Sequence, residues 1–579
     1  MNSRTKGILV FDDIIYMDFC LKNIMQSFKN NNTLKKFSFL KLDPKYFLLI
    51  NIGIVILIFF ERKFIYFRDY AIIWDGAYRL SQGLSPYTDF GMPVGPVSFY
   101  LPALFFYLFG ASWLNLQLSQ LVISIALIFT AWKLLNEIQV SKVISYLGLV
   151  FFTLNYVILL SHPWYNITGA CLFLLTILLI LNYRSHTNFL AGFICVACVF
   201  TKQDYGLMSL ISSMVLVLFS NKDHLNNKIF SIPNNLKDLL KRLKAKRFFF
   251  LLFGLLLATS FFLFIFDNSQ FSYWFNYGQF PHNIRRPSII RTFLNTQFIL
   301  SILCFWLAIR KKDVSLVVSF LVLLTSSLCS QTSGLSYTAG FFVFLAPLLL
   351  VKFFNSSKDN YKFIALLIIS LLIINSTFSN LEKGVSIVKG IIKNKFEPYT
   401  MRYSDLKSDV IHLNKCARQF NNIYGPSSVC TQLNLIKDQL KERNKNQKII
   451  FLNLSELTPF TAILNLSPPR NLPLWFHEEV TFFKREKAII REGLINQDFD
   501  LIALQAAHES WSPFYDEILN NLILSSNYRE IGREQYLSPR GSLYEPTAHK
   551  CESSLIKNYS FSEKCEMYLK PIRFFIKTN

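Results

Sequence analysis

Three carboxylates, Asp69, Asp75 and Asp89, lie in one stretch from Phe67 to Phe90, directly after the first long apolar segment. A carboxylate in such a place can deprotonate an incoming hydroxyl or hold a divalent cation. At the edge of a membrane an ionised group is costly unless it is solvated or paired, so three in one loop point to a site. Each also has a plainer reading. Asp69 suits the N-cap of a helix beginning near Tyr70. Asp75 can pair with Arg79 at i, i+4 on that helix. Asp89 follows Pro86 and Tyr87 and has the residue type that shapes turns.

Other polar residues fall between apolar segments. His162 precedes Pro163 and Trp164, a pattern that an interfacial aromatic belt also produces. Lys202, Gln203 and Asp204 sit at the end of an apolar run, where the lysine can snorkel or meet a phosphate. Arg285 and Arg286 lie in a long loop and suit an anionic partner such as a lipid phosphate. Tyr337 opens a later apolar run and reads as core, belt or substrate contact.

The rest of the chain is the scaffold that would hold these groups. It has 579 residues, 52% hydrophobic, 17% charged and 58 Phe. A soluble protein carries about 25% charged residues, so the composition points to a membrane. Apolar runs of spanning length lie near 47–66, 116–135, 143–161, 167–182, 188–200, 205–220, 248–266, 292–309, 314–330, 337–352 and 362–379. The shorter run 97–110 follows Gly95-Pro96 and reads as a helix lying in the interface. The net charge of +23 concentrates in alternate loops, above all 222–247, which places those loops and the N-terminus in the cytoplasm. Arg62-Lys63 and Arg285, Arg286 and Arg291 are the exceptions. The opposite loops, with the aspartates, His162, Lys202 and Tyr337, then share the outer face. No nucleotide-binding signature occurs, and the basic excess is accounted for by topology without nucleic acid. No signal peptide is expected at the N-terminus.

The expected organisation is a cytoplasmic segment 1–46, an α-helical multi-spanning body 47–379 with a first outer loop 67–115, and an outer α/β domain 380–579. Short apolar runs at 448–454 and 499–504 read as strands, and 427–443, 483–495 and 514–526 as helices. Ser538 to Gly541 reads as a turn in a terminal hairpin. Cys416, Cys430, Cys551 and Cys565 fall in this domain in two pairs spaced by 14, and pairing 416–430 and 551–565 is one of three connectivities.

The order of features resembles the first outer loop of polyprenyl-phosphate-dependent GT-C glycosyltransferases, such as protein O-mannosyltransferases and lipid A aminoarabinose transferases. The features are an early Asp, Gly83-x-x-Pro86-Tyr87-x-Asp89-Phe90, Gly95-Pro96 and an interfacial helix ending in Leu108-Phe109-Gly110. Thr201-Lys202-Gln203 is similar to a segment of bacterial members, and the run from Ser336-Tyr337 to Pro347 also resembles the family. The resemblance implies a bacterial inner-membrane enzyme with an outer active site and inverting sugar transfer from a polyprenyl-phosphate donor to a lipid, glycan or protein acceptor. It puts the role of base or metal ligand on Asp69, with Asp75 as competitor. Tyr87, Asp89, His162, Lys202, Gln203, Arg285, Arg286 and Tyr337 are then candidate substrate contacts, and a divalent metal is an optional cofactor. Many members have an adjacent acidic pair, whereas Asp69 here is followed by Tyr70. A lipid or polysaccharide flippase and a non-catalytic envelope assembly protein are the competing function classes.

Overall fold

The computed structural model describes residues 44–61, 64–65, 68–92, 94–159, 164–222, 228–233, 235–265, 295–333, 336–356, 362–392, 410–421, 423–441, 448–455, 459–474, 476, 482–505, 512–534 and 572–578.

Every one of the expected apolar segments becomes a helix. The body comprises α1 (Pro44–Glu61), the loop helix α2 (Arg68–Ser81), α3 (Val97–Phe109) and α4 (Trp113–Glu137). It continues with α5 (Lys142–Phe152), α6 (Tyr165–Leu181), α7 (Ser185–Val199), α8 (Gln203–Phe219), the short α9 (Leu236–Leu243) and α10 (Lys246–Ile265). Then come α11 (Thr296–Lys311), α12 (Val314–Ser333), a 3-10 segment (Ser336–Leu345) leading into α13 (Ala346–Ser356), and α14 (Lys362–Ile392). By length and composition alone, Trp113–Glu137 and Lys246–Ile265 could each cross a membrane. The helices expose apolar surface outward, with Leu49, Phe249, Leu256 and Phe264 among the exposed residues. A surface of this kind belongs against lipid. Inside, one apolar core runs from Leu48 to Ile373. Where α7 meets α10, small residues let the backbones touch: a Cβ on Gly192 would stand 2.4 Å from the Leu251 carbonyl, and one on Gly254 would stand 2.1 Å from that of Phe189.

α3 follows Gly95-Pro96 as expected. It buries Phe99, Ala103 and Phe106 and exposes Tyr100, Leu104, Tyr107 and Phe109. An apolar helix that is buried on one side and apolar on the other fits a place between protein and lipid.

At one end of the bundle sits an α/β unit. Strands β7 (Phe451–Leu454) and β9 (Leu501–Leu504) are parallel, and β9, β11 (Ile572–Lys577) and β10 (Tyr528–Glu534) are antiparallel, giving the order β10-β11-β9-β7. Helices α15 (Ser427–Lys441), α17 (Lys484–Ile495) and α18 (Ser512–Leu524) flank it, with the short α16 (Phe460–Ile463) between strands. The helices and the strands β7 and β9 fall where the sequence periodicity puts them. β10 and β11 form the arms of the terminal antiparallel pair, while Ser538 to Gly541 lies outside the described residues.

This unit is not closed on itself. β1 (Phe64–Ile65) pairs in parallel with β6 (Ile423–Pro426), which pairs antiparallel with β5 (Val410–His412). β2 (Phe90–Gly91) pairs in parallel with β8 (Leu472–Pro473). The chain on both sides of α2 is therefore stitched into the C-terminal unit. One core joins Trp74, Phe99 and Trp113 to Phe420, Leu433, Phe460 and Leu501. Cys416 and Cys430 form a disulfide in this unit, and Cys551 and Cys565 lie outside the described residues. The boundary expected at 379/380 falls within α14, which continues to Ile392.

At the opposite, basic end β3 (Ser220–Lys222) pairs antiparallel with β4 (Lys228–Phe230). Arg242 donates to the carbonyls of Leu218 and Ser231, and Lys352 pairs with Asp313 between α11 and α12.

Candidate functional site

α2 carries Asp69 and Asp75 and is buried on nearly every side. Ala71, Ile72, Ile73, Trp74, Ala77 and Tyr78 are all core residues. A Cβ on Gly76 would stand 2.4 Å from Phe99 of α3 and 2.9 Å from Leu474 of the C-terminal unit, so the helix is clamped between them. Trp74 reaches Phe106, Trp113 and Phe420, with ring centroids 6.1, 6.4 and 5.7 Å apart.

Asp75 and Arg79 form the i, i+4 pair that their spacing allows. The Nε and Nη2 donors of Arg79 each lie 3.1 Å from Asp75 Oδ2. Asp75 is 2% exposed and Arg79 6%. Asp75 Oδ1 and Arg79 Nη1 are buried with no hydrogen-bond partner among the described residues. Burial pushes the Asp75 carboxyl above its usual range, and the Arg79 guanidinium opposes that rise. One turn on, the Tyr78 hydroxyl lies 3.3 Å from both Asn465 Oδ1 and the Leu466 carbonyl. Its pKa is pushed up to about 12 by burial and by the Asp75 charge.

Asp69 lies in the first turn of α2. The helix begins at Arg68 instead of near Tyr70, so Asp69 is inside the helix and not its cap. A carboxylate in a first turn is favoured by the helix dipole.

Asp89 and Tyr87 shape the loop. Asp89 Oδ2 accepts the Ser85 amide at 2.8 Å, and its carbonyl accepts the Asn471 amide at 2.6 Å. Arg470 Nε lies 3.5 Å from Asp89 Oδ1. Tyr87 adopts φ 62°, donates its amide to Phe90 and its hydroxyl to the Val94 carbonyl at 3.0 Å.

Gly95 then joins two separate sequence motifs. Its amide donates to the Thr201 carbonyl, and the Val97 amide donates to that of Phe200, both at 3.1 Å. A Cβ on Gly95 would stand 1.9 Å from the Phe200 oxygen. Only glycine permits this approach. The aspartate loop is thereby fastened to the segment that carries Lys202.

Lys202 is 6% exposed and lies 2.9 Å from Asp204. Its ammonium stands 5.8 Å from the Tyr165 ring centroid and 5.4 Å from that of Tyr205. The Cys329 thiol hydrogen-bonds Asp204, and the Tyr205 and Tyr156 hydroxyls bond to each other. Gln203 begins α8, half-buried beside this cluster. Tyr156 lies in a π-helical turn, Thr153–Val157, that continues α5, and the neighbouring Asn155 is buried with its Oδ1 unpartnered among the described residues. Such turns recur at functional sites. Tyr156, Tyr165, Tyr205 and Cys329 have no sequence motif that singles them out. Tyr165 opens α6 and Tyr205 lies in the first turn of α8, and these positions at helix starts are the one signal available.

The structure thus brings Asp75, Tyr87, Asp89, Lys202 and Gln203 to the end that bears the C-terminal unit. The 3-10 segment that begins at Ser336 places the backbone of Tyr337, whose side chain lies outside the described residues. His162, Arg285 and Arg286 also lie outside them. The side chain of Asp69 does so too, although its backbone is placed. Among the described residues no group of three His, Cys, Asp or Glu side chains gathers. Asp75 does not fit a divalent ion, because its carboxylate faces a guanidinium that occupies a cation's position.

No known protein family and no curated protein sequence matches the chain. Among solved structures it is similar to ArnT from Cupriavidus metallidurans bound to undecaprenyl phosphate, with TM-score 0.46, 9% identity, 84% of this chain and 96% of that one covered. The apo state of that protein gives the same values. It is also similar to the Archaeoglobus fulgidus oligosaccharyltransferase tethered to an acceptor peptide, with TM-score 0.43, 9% identity, and 92% and 89% covered.

Proposed function

We propose that this chain is a membrane glycosyltransferase that moves a sugar from a polyprenyl-phosphate carrier to an acceptor hydroxyl, at the outer face of a bacterial inner membrane. The observation that carries the reading is the backbone junction of Gly95 and Val97 with Thr201 and Phe200. It couples a loop rich in carboxylates to a buried lysine at the rim of an apolar helical bundle.

The chemistry divides between the two parts. Asp69, at the start of α2, takes the proton from the acceptor hydroxyl as that oxygen attacks the anomeric carbon. The bond from the anomeric carbon to the phosphate oxygen breaks, and attack from the opposite face inverts the configuration. Lys202 meets the negative charge that develops on the departing polyprenyl phosphate. An ammonium has three donors, so Asp204 can orient Lys202 while the phosphate takes another. Arg285 and Arg286 supply further charge for the carrier. Asp75 has a different task here. Paired with Arg79 beneath the C-terminal unit, it fixes α2 and hence the position of Asp69.

Purified protein in detergent, where no membrane gradient exists, is incubated with a polyprenyl-phosphate sugar and a crude acceptor fraction. Donor-dependent transfer supports an enzyme over a flippase. Asp69→Asn should lower the rate by about 10²–10⁴, the usual worth of a general base. Transfer that proceeds equally well with Asp69→Asn would sink the assignment.

A further inference from the structure

A cleft of about 880 Å³ opens between the end of α2 and the C-terminal unit. That is within the range of about 300–1,000 Å³ typical of small-ligand sites. Lys202 does not line it. One wall is Tyr78 and Gln82; another is Lys448 and the turn at Asp498; the loop 464–471 closes the third side.

The cleft is rigidly built. The Ser467 amide donates to Ile449 and its carbonyl accepts from Phe451, at 3.0 and 2.9 Å. Asn465 and Asn471 adopt φ of 53° and 63°, and the prolines between them have fixed φ. Asn471 is tied to Asp89, and Leu466 faces the Tyr78 hydroxyl.

Its chemistry is that of a polyhydroxylated ligand. Exposed amides of Gln82 and Asn465 can each donate to and accept from vicinal hydroxyls. The pyrrolidine faces of Pro468 and Pro469 are apolar surfaces for the C–H face of a sugar ring. Lys448 and Arg470 stand against one carboxylate, Asp498, so the charge balance favours an anion. Arg470 is 71% exposed in its side chain and meets Asp89 through Nε at 3.5 Å, which leaves the fork of its guanidinium for a ligand.

We propose that this cleft binds an oligosaccharide bearing acidic groups. On the reading given under Proposed function, it is where the acceptor glycan docks. Tyr78 and Asp69 are nine residues apart on one helix, about 14 Å at the α-helical rise. An acceptor several rings long would lie in the cleft with its terminal hydroxyl delivered toward the start of α2.

The test is binding by the full chain in detergent, read by calorimetric titration with tetragalacturonate and with neutral maltotetraose. Tetragalacturonate should bind saturably and maltotetraose at least tenfold more weakly. Lys448→Gln with Arg470→Gln should weaken tetragalacturonate at least tenfold while leaving maltotetraose unchanged. Gln82→Ala with Asn465→Gly should weaken both. Size-exclusion profiles matching the parent confirm that each variant is folded. Absence of saturable binding by either sugar, or acidic binding untouched in the lysine–arginine variant, would overturn the proposal. Asp69→Asn should bind as the parent does, so the cleft and the transfer chemistry fail or stand separately.

Discussion

Gly95→Ala perturbs the junction on which the site depends. The added methyl would lie 1.9 Å from the Phe200 oxygen and 2.8 Å from the Thr201 amide nitrogen, both backbone atoms. Neither can swing aside as a side chain would. The strands of chain must separate, which removes the hydrogen bonds from Gly95 to Thr201 and from Val97 to Phe200. Overpacking costs about 1–3 kcal/mol. Two hydrogen bonds add about 0.5–1.5 kcal/mol each, for a total of about 2–6 kcal/mol. The control is Gly53→Ala. Gly53 lies inside α1 with nothing within 4 Å of its absent Cβ, so alanine should be neutral or stabilising there. Thermal unfolding in detergent, followed by tryptophan fluorescence, gives the stability, and sugar transfer gives the activity. Gly95→Ala should melt several degrees below both the parent and Gly53→Ala and lose most transfer. Parental melting and rate in Gly95→Ala would show that the two segments are not held together as described.

Three further outcomes follow from the same geometry. Asp75→Leu or Arg79→Met alone should destabilise by about 3–5 kcal/mol, because each leaves an unpaired buried charge, whereas the two together should cost less than the sum; additive losses in chemical denaturation would contradict a buried pair. Because the Tyr78 pKa is raised to about 12 in the folded state, its contribution is full below the ordinary tyrosine value of about 10 and is lost as pH rises from there through 12; Tyr78→Phe should flatten that part of an alkaline stability profile. Cys416→Ser with Cys430→Ser removes a bond closing a short loop and should cost about 3 kcal/mol, read as a lower denaturation midpoint for the fluorescence of Trp74, whose ring faces Phe420.

The helical body was legible because long apolar runs admit few structures: without water, the backbone must satisfy itself within each segment. The strands at 451–454 and 501–504 were legible for a similar reason, being short, apolar and largely buried. The coupling between them was not. β1 and β2 are two residues each, too short to show any alternation, and their partners lie hundreds of residues away. The sequence therefore suggested an independent outer domain, while the structure weaves the first loop into it. The aspartates divide in the same way. Local spacing anticipated the pair of Asp75 with Arg79 and the turn at Asp89. That α2 is buried beneath Leu474 and Phe420 depends on tertiary packing alone. Gly95 stood out as part of a Gly-Pro step, but its contact with Phe200 is visible only in three dimensions. Tyr156 and Cys329 meet the Lys202 cluster through a π-helical turn and a neighbouring helix, neither of which leaves a pattern in the chain.

The central claim is that a carboxylate on α2 and the lysine opening α8 act on one substrate. Its most direct test is the transfer rate from a polyprenyl-phosphate sugar for Asp69→Asn and Lys202→Met, together with the affinity of each variant for free polyprenyl phosphate. Asp69→Asn should lower transfer by about 10²–10⁴ and keep carrier affinity, while Lys202→Met should lose both. Full transfer in the two variants, or carrier affinity unchanged in Lys202→Met, would contradict it.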